Sequence, residues 1–194
     1  MFPLTTRSEA VKLLEDSGCA PNVVQHCKEV ASLAVEIADR LKEAGHVVNS
    51  ELVEVGALLH DFGRCRTHGI THAVEGFKLA KSRGVDPEIS EIIKRHIGAG
   101  ISKEEARQLG LPEDDYFPRS LEEKIVSHAD NLVKGTKRIT IDERIALMRK
   151  KEVSEQVILR IKSLADEVEG LSYIIAGPSA IRKNGYPPKE NEKQ

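Results

Sequence analysis

Apolar residues recur at intervals of three and four through nearly every segment of this chain, and alternating runs of the strand type are few. From Pro21 to about Ala44, His26, Val30, Leu33, Ile37 and Leu41 fall on one helical face. That period cannot be reconciled with a sheet. Composition agrees, because only 4% of residues are aromatic while Leu, Ala, Glu and Lys are abundant. The expected fold is all-α, a helical bundle with its polar site between the core helices.

Glycine, proline and capping residues divide the pattern into elements. Ser8 can cap a short first helix ending at Gly18, and Pro21 opens a long second helix stopped by Gly45. A third starts at Asn49-Ser50, carries Leu52, Val55 and Leu59, and ends in His60-Asp61 before Gly63 breaks it. A fourth runs from Thr71-His72 to Gly84. A fifth follows Asp86-Pro87, with Ile89, Ile92, Ile93 and His96 on one side before Gly98. Residues 97–119 are richer in Gly, Pro and acids, with Ser102 and Glu105 as a capping box, and suggest a lid. Ser120 and Glu123 form a second box, opening a helix with Ile125, Val126, Ala129, Asp130 and Val133. Helices near 142–150 and 154–169 complete the body. The expected organisation is one domain over 1–176, its motif-bearing core at about 20–135, followed by an irregular, partly mobile tail at 177–194.

With 29 basic and 31 acidic side chains the net charge is −2, so nothing global draws the chain to nucleic acid or an anionic membrane. No uncharged apolar run reaches the roughly 18 residues of a membrane span. The three cysteines, Cys19, Cys27 and Cys65, form no C-x-x-C pair and read as free thiols, which suits a cytoplasmic protein.

Polar residues then stand out where the pattern places them. His26 and His96 continue apolar stripes, His60 and Asp61 close a helix, and Asp130 faces partly inward. Unpartnered, each would be costly there. With His72 they make six nitrogen and oxygen ligands, a mixed set suited to iron, manganese, nickel or zinc more than to calcium or magnesium. Six are enough for two cations. A carboxylate can bridge two metals about 3.5–4 Å apart, which can activate a hydroxide while holding a phosphoryl oxygen. Cys65, His68 and His72 also have C-x-x-H-x-x-x-H spacing, but a closed zinc site would need a fourth ligand that the sequence does not supply. His46, beside Gly45, reads as a surface residue. His68 and His128 read either as exposed or as supporting groups.

The order His26, then Leu58-Leu59-His60-Asp61-Phe62-Gly63-Arg64, then Ser127-His128-Ala129-Asp130 resembles the H…HD…D signature of HD-domain metal-dependent phosphohydrolases. Thr71-His72-Ala73-Val74-Glu75-Gly76-Phe77 and Ile93-Lys94-Arg95-His96 resemble the segments that supply further histidines in two-metal members. The resemblance covers about residues 20–135 and implies an HD-type helical bundle. It implies one metal held mainly by His26, His60, Asp61 and Asp130, with Asp61 bridging to a second held by His72 and His96. Two divalent ions are expected, iron or manganese first, with nickel, cobalt or zinc also compatible. The expected reaction is hydrolysis of a phosphoester or phosphoanhydride of a nucleotide or other small phosphorylated substrate by a metal-bound hydroxide. His60, Asp61, Arg64 and His128 are the expected catalytic residues, and Arg64 and Lys134 the substrate-binding ones. The family's usual H-D-I-G-K is His60-Asp61-Phe62-Gly63-Arg64 here, and a planar guanidinium suits bidentate phosphate binding. The run Lys134, Lys137 and Arg138 reads either as a contact for a nucleotide or nucleic-acid backbone or as basic decoration at a helix end. The ligands leave two alternatives open: an HD-type di-iron oxygenase and a non-catalytic nucleotide-binding sensor.

Overall fold

A computed structural model describes residues 5–172, so the expected tail at 177–194 lies outside the described residues. The order is α1 (Arg7–Asp16), α2 (Pro21–Glu43), α3 (Ser50–Leu59), a 3₁₀ turn (Phe62–Cys65), α4 (His72–Ser82), α5 (Pro87–Arg95), α6 (Lys103–Gln108), α7 (Leu121–Asn131), a hairpin of β1 (Val133–Lys134) and β2 (Lys137–Arg138), α8 (Ile141–Lys150) and α9 (Glu155–Leu171). The all-α expectation holds, apart from the hairpin. No helix among the described residues is long and apolar enough to cross a membrane.

Helix α2 is the axis. Its buried stripe includes Val30, Ile37 and Leu41 and packs against α3 and α7, which also touch each other. Leu58, Leu59, Ile92, Ile93 and Ile125 continue this main core into α3, α5 and α7. Burying five such side chains contributes roughly 1.5–3 kcal/mol each relative to exposure. Helix α4 leans on α5 and on the 3₁₀ turn.

Several local expectations are corrected. Thr6, not Ser8, caps α1, because the Thr6 side chain and Glu9 form the reciprocal box. Gly63 does not break α3: the helix ends at Leu59, and Gly63 lies inside the 3₁₀ turn. A Cβ there would meet the His72 carbonyl oxygen at 1.9 Å and the Gly76 nitrogen at 2.6 Å, so glycine is needed for backbone contact with α4. Ser120 does cap α7, but the Glu123 carboxylate turns away from it to the Arg119 amide and to Arg95, a cation buried between Glu91 and Glu123. Residues 97–119 are packed rather than loose: Ile101, Ala106, Leu111 and Tyr116 form a second apolar cluster with Val74 of α4. His46 is half-buried, its Nε2 within 2.9 Å of the Leu171 carbonyl at the end of α9.

Arg160 of α9 ties this second cluster to the C-terminal helices, both terminal nitrogens donating to Glu105 at 2.9 Å while the guanidinium lies 5.4 Å from the Phe117 ring. The hydrogen bond from Arg160 holds Glu105 below its ordinary 4.5. Arg160→Gln should therefore lower stability by about 1 kcal/mol at neutral pH. A depressed carboxylate contributes stability above its unfolded value and loses it as pH falls through the folded one. Urea titrations should thus show the gap between variant and parent closing below about pH 4. Gly63→Ala forces backbone against backbone and should lower stability by at least about 2 kcal/mol, read as a reduced urea midpoint.

Candidate metal centre

The six candidate ligands come from five places. His26 lies in the second turn of α2, His60 and His96 cap the C-termini of α3 and α5, Asp61 follows His60, His72 opens α4, and Asp130 sits in the last turn of α7. At the end of a helix the last carbonyls lack intrahelical partners. His60 and His96 use them, each donating from Nδ1 to the carbonyl three residues back, Ala57 at 2.6 Å and Ile93 at 2.8 Å. His72 does likewise with Gly69 at 2.8 Å, and His26 donates from Nδ1 to Gly135 at 2.7 Å. A carbonyl only accepts, so every Nδ1 carries a proton and every neutral ring presents a lone pair at Nε2.

Those four Nε2 atoms converge on two carboxylates. Asp61 Oδ1 lies 3.1 Å from His72 Nε2 and 3.5 Å from His96 Nε2, while Oδ2 lies 3.7 Å from His60 Nε2 and 3.8 Å from His26 Nε2. Asp130 Oδ1 is 3.0 Å from His26 Nε2 and 3.5 Å from His60 Nε2. Two groups have all their ligand atoms within 4.8 Å of one another, namely His26, His60 and Asp130, and His60, Asp61 and His96. Asp61 thus turns one oxygen to each side, and His60 stands between.

The donor set fits divalent cations. His72 and His96 point Nε2 at Nε2 across 3.0 Å, an arrangement of facing lone pairs that a shared cation relieves. His60 Nε2 and Asp61 Oδ1 are buried without a hydrogen-bond partner. Orphaned buried polar atoms of this kind are costly. Burial pushes the His96 imidazole below its ordinary value, toward the neutral ligating form. Burial opposes charge on His60 as well, but the neighbouring Asp61 and Asp130 overcome it and drive that imidazole up to about 9. Asp61 and Asp130 also resist burial, and the surrounding imidazoles hold both well below the usual carboxylate range.

Arg64 donates from Nε to Asp61 Oδ2 at 2.5 Å and keeps 30% of its side chain exposed, so it stands at the rim of the cluster. Lys134 is exposed on β1 rather than one helical turn beyond Asp130, because α7 ends at Asn131. His128 is not brought to the cluster. Two residues from Asp130, it projects from the opposite flank of α7, buried, with Nε2 3.2 Å from Glu169 of α9. His68 is exposed. The hairpin was not legible beforehand, although Gly135 at φ 63° between two short basic runs is a turn signal. It supplies Gly135 to His26, and Arg144 of α8 closes the same corner by donating to the carbonyls of Asn131, Asp130 and Val133 at 2.5, 2.9 and 3.1 Å.

Comparison with known proteins places this geometry in context. An uncharacterized protein of Methanocaldococcus jannaschii is 51% identical over 154 residues, covering 79% of this chain and 91% of that protein. A tRNA (cytidine(56)-2'-O)-methyltransferase of Thermoplasma volcanium is 45% identical over 143 residues, 74% of this chain but 41% of the methyltransferase. A ribonuclease Y of Acidothermus cellulolyticus is 25% identical over 160 residues, 80% of this chain and 26% of that enzyme. The chain thus spans less than half the length of the methyltransferase and about a quarter of the ribonuclease. The model of the HD domain matches residues 23–135, which include all six converging side chains, and the chain belongs to the HD-domain family.

Proposed function

We propose that this chain is a two-metal phosphohydrolase acting on a nucleotide or another small phosphorylated substrate. The observation that carries this reading is Asp61, whose two oxygens face two different histidine pairs. His26, His60 and Asp130 would hold one cation, His72 and His96 the other, with Asp61 between them. Two divalent ions so placed would supply an activated water and neutralise charge developing on a phosphoryl group. Iron and manganese suit the donors, as do nickel, cobalt and zinc.

The chain's own residues supply the remainder. The i−3 carbonyls orient His60, His72 and His96, and the complete burial of His60 keeps bulk water from one side. Arg64 now neutralises Asp61, and a cation at that oxygen would free its planar guanidinium for a phosphoryl oxygen. Lys134, opposite Lys137 on the hairpin, adds positive charge near the Gly135 corner for a further phosphate. The leaving oxygen takes its proton from solvent at the rim, where Arg64 and Asp130 are partly exposed, since His128 faces α9. The RNA-acting names of two relatives extend the candidate substrates to RNA-derived nucleotides. A net charge of −2 favours small ones over a long polyanion.

Phosphate release from a panel of nucleotides, dinucleoside polyphosphates and simple phosphoesters, measured without oxygen and with Fe²⁺ or Mn²⁺, should show turnover. Asp61→Ala should reduce it at least about a hundredfold and lower the bound-metal count below two in a folded protein. Retention of two tightly bound ions would contradict the assignment. Turnover that needs oxygen and releases no phosphate would favour the oxygenase alternative. Arg64→Ala should raise KM about tenfold with metal content unchanged. Metal loss in that variant would move Arg64 from substrate binding to support of Asp61.

A further inference from the structure

Among the four converging histidines, His26 alone takes its orienting carbonyl from outside its own neighbourhood. It lies inside α2, where the nearby carbonyls are engaged in helical hydrogen bonds, so the acceptor for Nδ1 must come from elsewhere. That acceptor is Gly135, 109 residues further along the chain. The hairpin presenting it has two residues in each strand, too little to hold a place by itself.

We infer that Arg138 is a positioning residue for the metal centre, fixing the hairpin so that the Gly135 carbonyl holds the His26 ring with Nε2 toward Asp130. This rests on the two-metal reading above. Arg138 donates from Nε to Glu29 at 2.6 Å, from Nη1 and Nη2 to the two oxygens of Glu36 at 2.7 Å, and from Nη2 to Ser32 at 3.2 Å. All three partners lie on α2, within three turns of His26, so clamp and ligand share one rigid element. The fork geometry of the guanidinium suits this double grip, which an ammonium could not reproduce. From the other side, Arg144 binds the carbonyls of Asp130, Asn131 and Val133 and fixes the base of the hairpin. The freedom left is in the second strand, and Arg138, paired with Val133, removes it by gripping α2. Without that restraint the Gly135 carbonyl drifts, and the His26 ring is free to turn about its last torsion and exchange its two nitrogens. Arg138 and Arg144 both lie beyond residues 23–135, so this control comes from outside the matched HD segment.

The test uses the full chain. Arg138 is 41% exposed, so Arg138→Ala should fold, and Glu29→Gln/Glu36→Gln removes the same clamp from α2. In the metal-free, ¹⁵N-labelled protein, the imidazole N–H signal absent from His26→Gln identifies the His26 Nδ1 proton. That signal should be lost to rapid exchange in both clamp variants. Calorimetric titration with Mn²⁺ should show one of two binding steps weakened about tenfold in both, with the other step changed less than about twofold. In a His26→Gln background, Arg138→Ala should add nothing at either step. A persisting N–H signal, unchanged Mn²⁺ binding, or an equal effect with and without His26 would each overturn the proposal. So would equal weakening of both steps with a large fall in melting temperature, which marks a general structural role. If His26→Gln itself leaves both steps intact, the two-metal reading fails at its source and the proposal falls with it.

Discussion

Four histidines point the same way because of four hydrogen bonds that have nothing to do with a metal. Each Nδ1 is tied to a backbone carbonyl, so each Nε2 becomes a directed acceptor, and the helices aim all four at Asp61 and Asp130. A cluster so rich in acceptors, with Arg64 at its rim donating to Asp61, is electrostatically unfavourable in a buried site. The surrounding core keeps it together. Leu58, Leu59, Ile93 and Ile125 are fully buried on the very helices that end in or carry the ligands, so the packing of α3, α5 and α7 maintains the convergence.

The centre is supported differently on its two sides. His72 and His96 are oriented by carbonyls three residues away, and the elements around them meet through Gly63 and Gly76 at backbone distance. His26 and Asp130 rely instead on a corner assembled from distant parts of the chain: α2, the end of α7, the hairpin and α8. Local geometry dominates in one half, long-range ion pairing in the other.

This division also explains what could be read from sequence. The helical period placed α2, α3, α5 and α7 within a residue or two at most ends, because burial and capping act locally and leave marks in the chain. His26, His96 and Asp130 were legible because they lie on apolar faces, and His60 and Asp61 because they close a helix, while the resemblance to HD domains added His72 and joined the six. Gly63 looked like a helix breaker because a close backbone approach to α4 has no local signature. Lys134 was placed on a helix because nothing in Val133 to Arg138 except Gly135 signals a hairpin, and that hairpin depends on glutamates over a hundred residues away. His128 shares a motif with Asp130, yet helical geometry sends the two to opposite flanks.

The contact between Gly63 and α4 sets a mechanical limit. With the His72 carbonyl and the Gly76 amide already against the turn that follows Asp61, α4 cannot slide or tilt toward the site to adapt to a larger or smaller ion. Differences of ionic radius on that side would have to be absorbed by side-chain torsions alone. On the two-metal reading, the position between His72 and His96 would therefore be selective for ionic size.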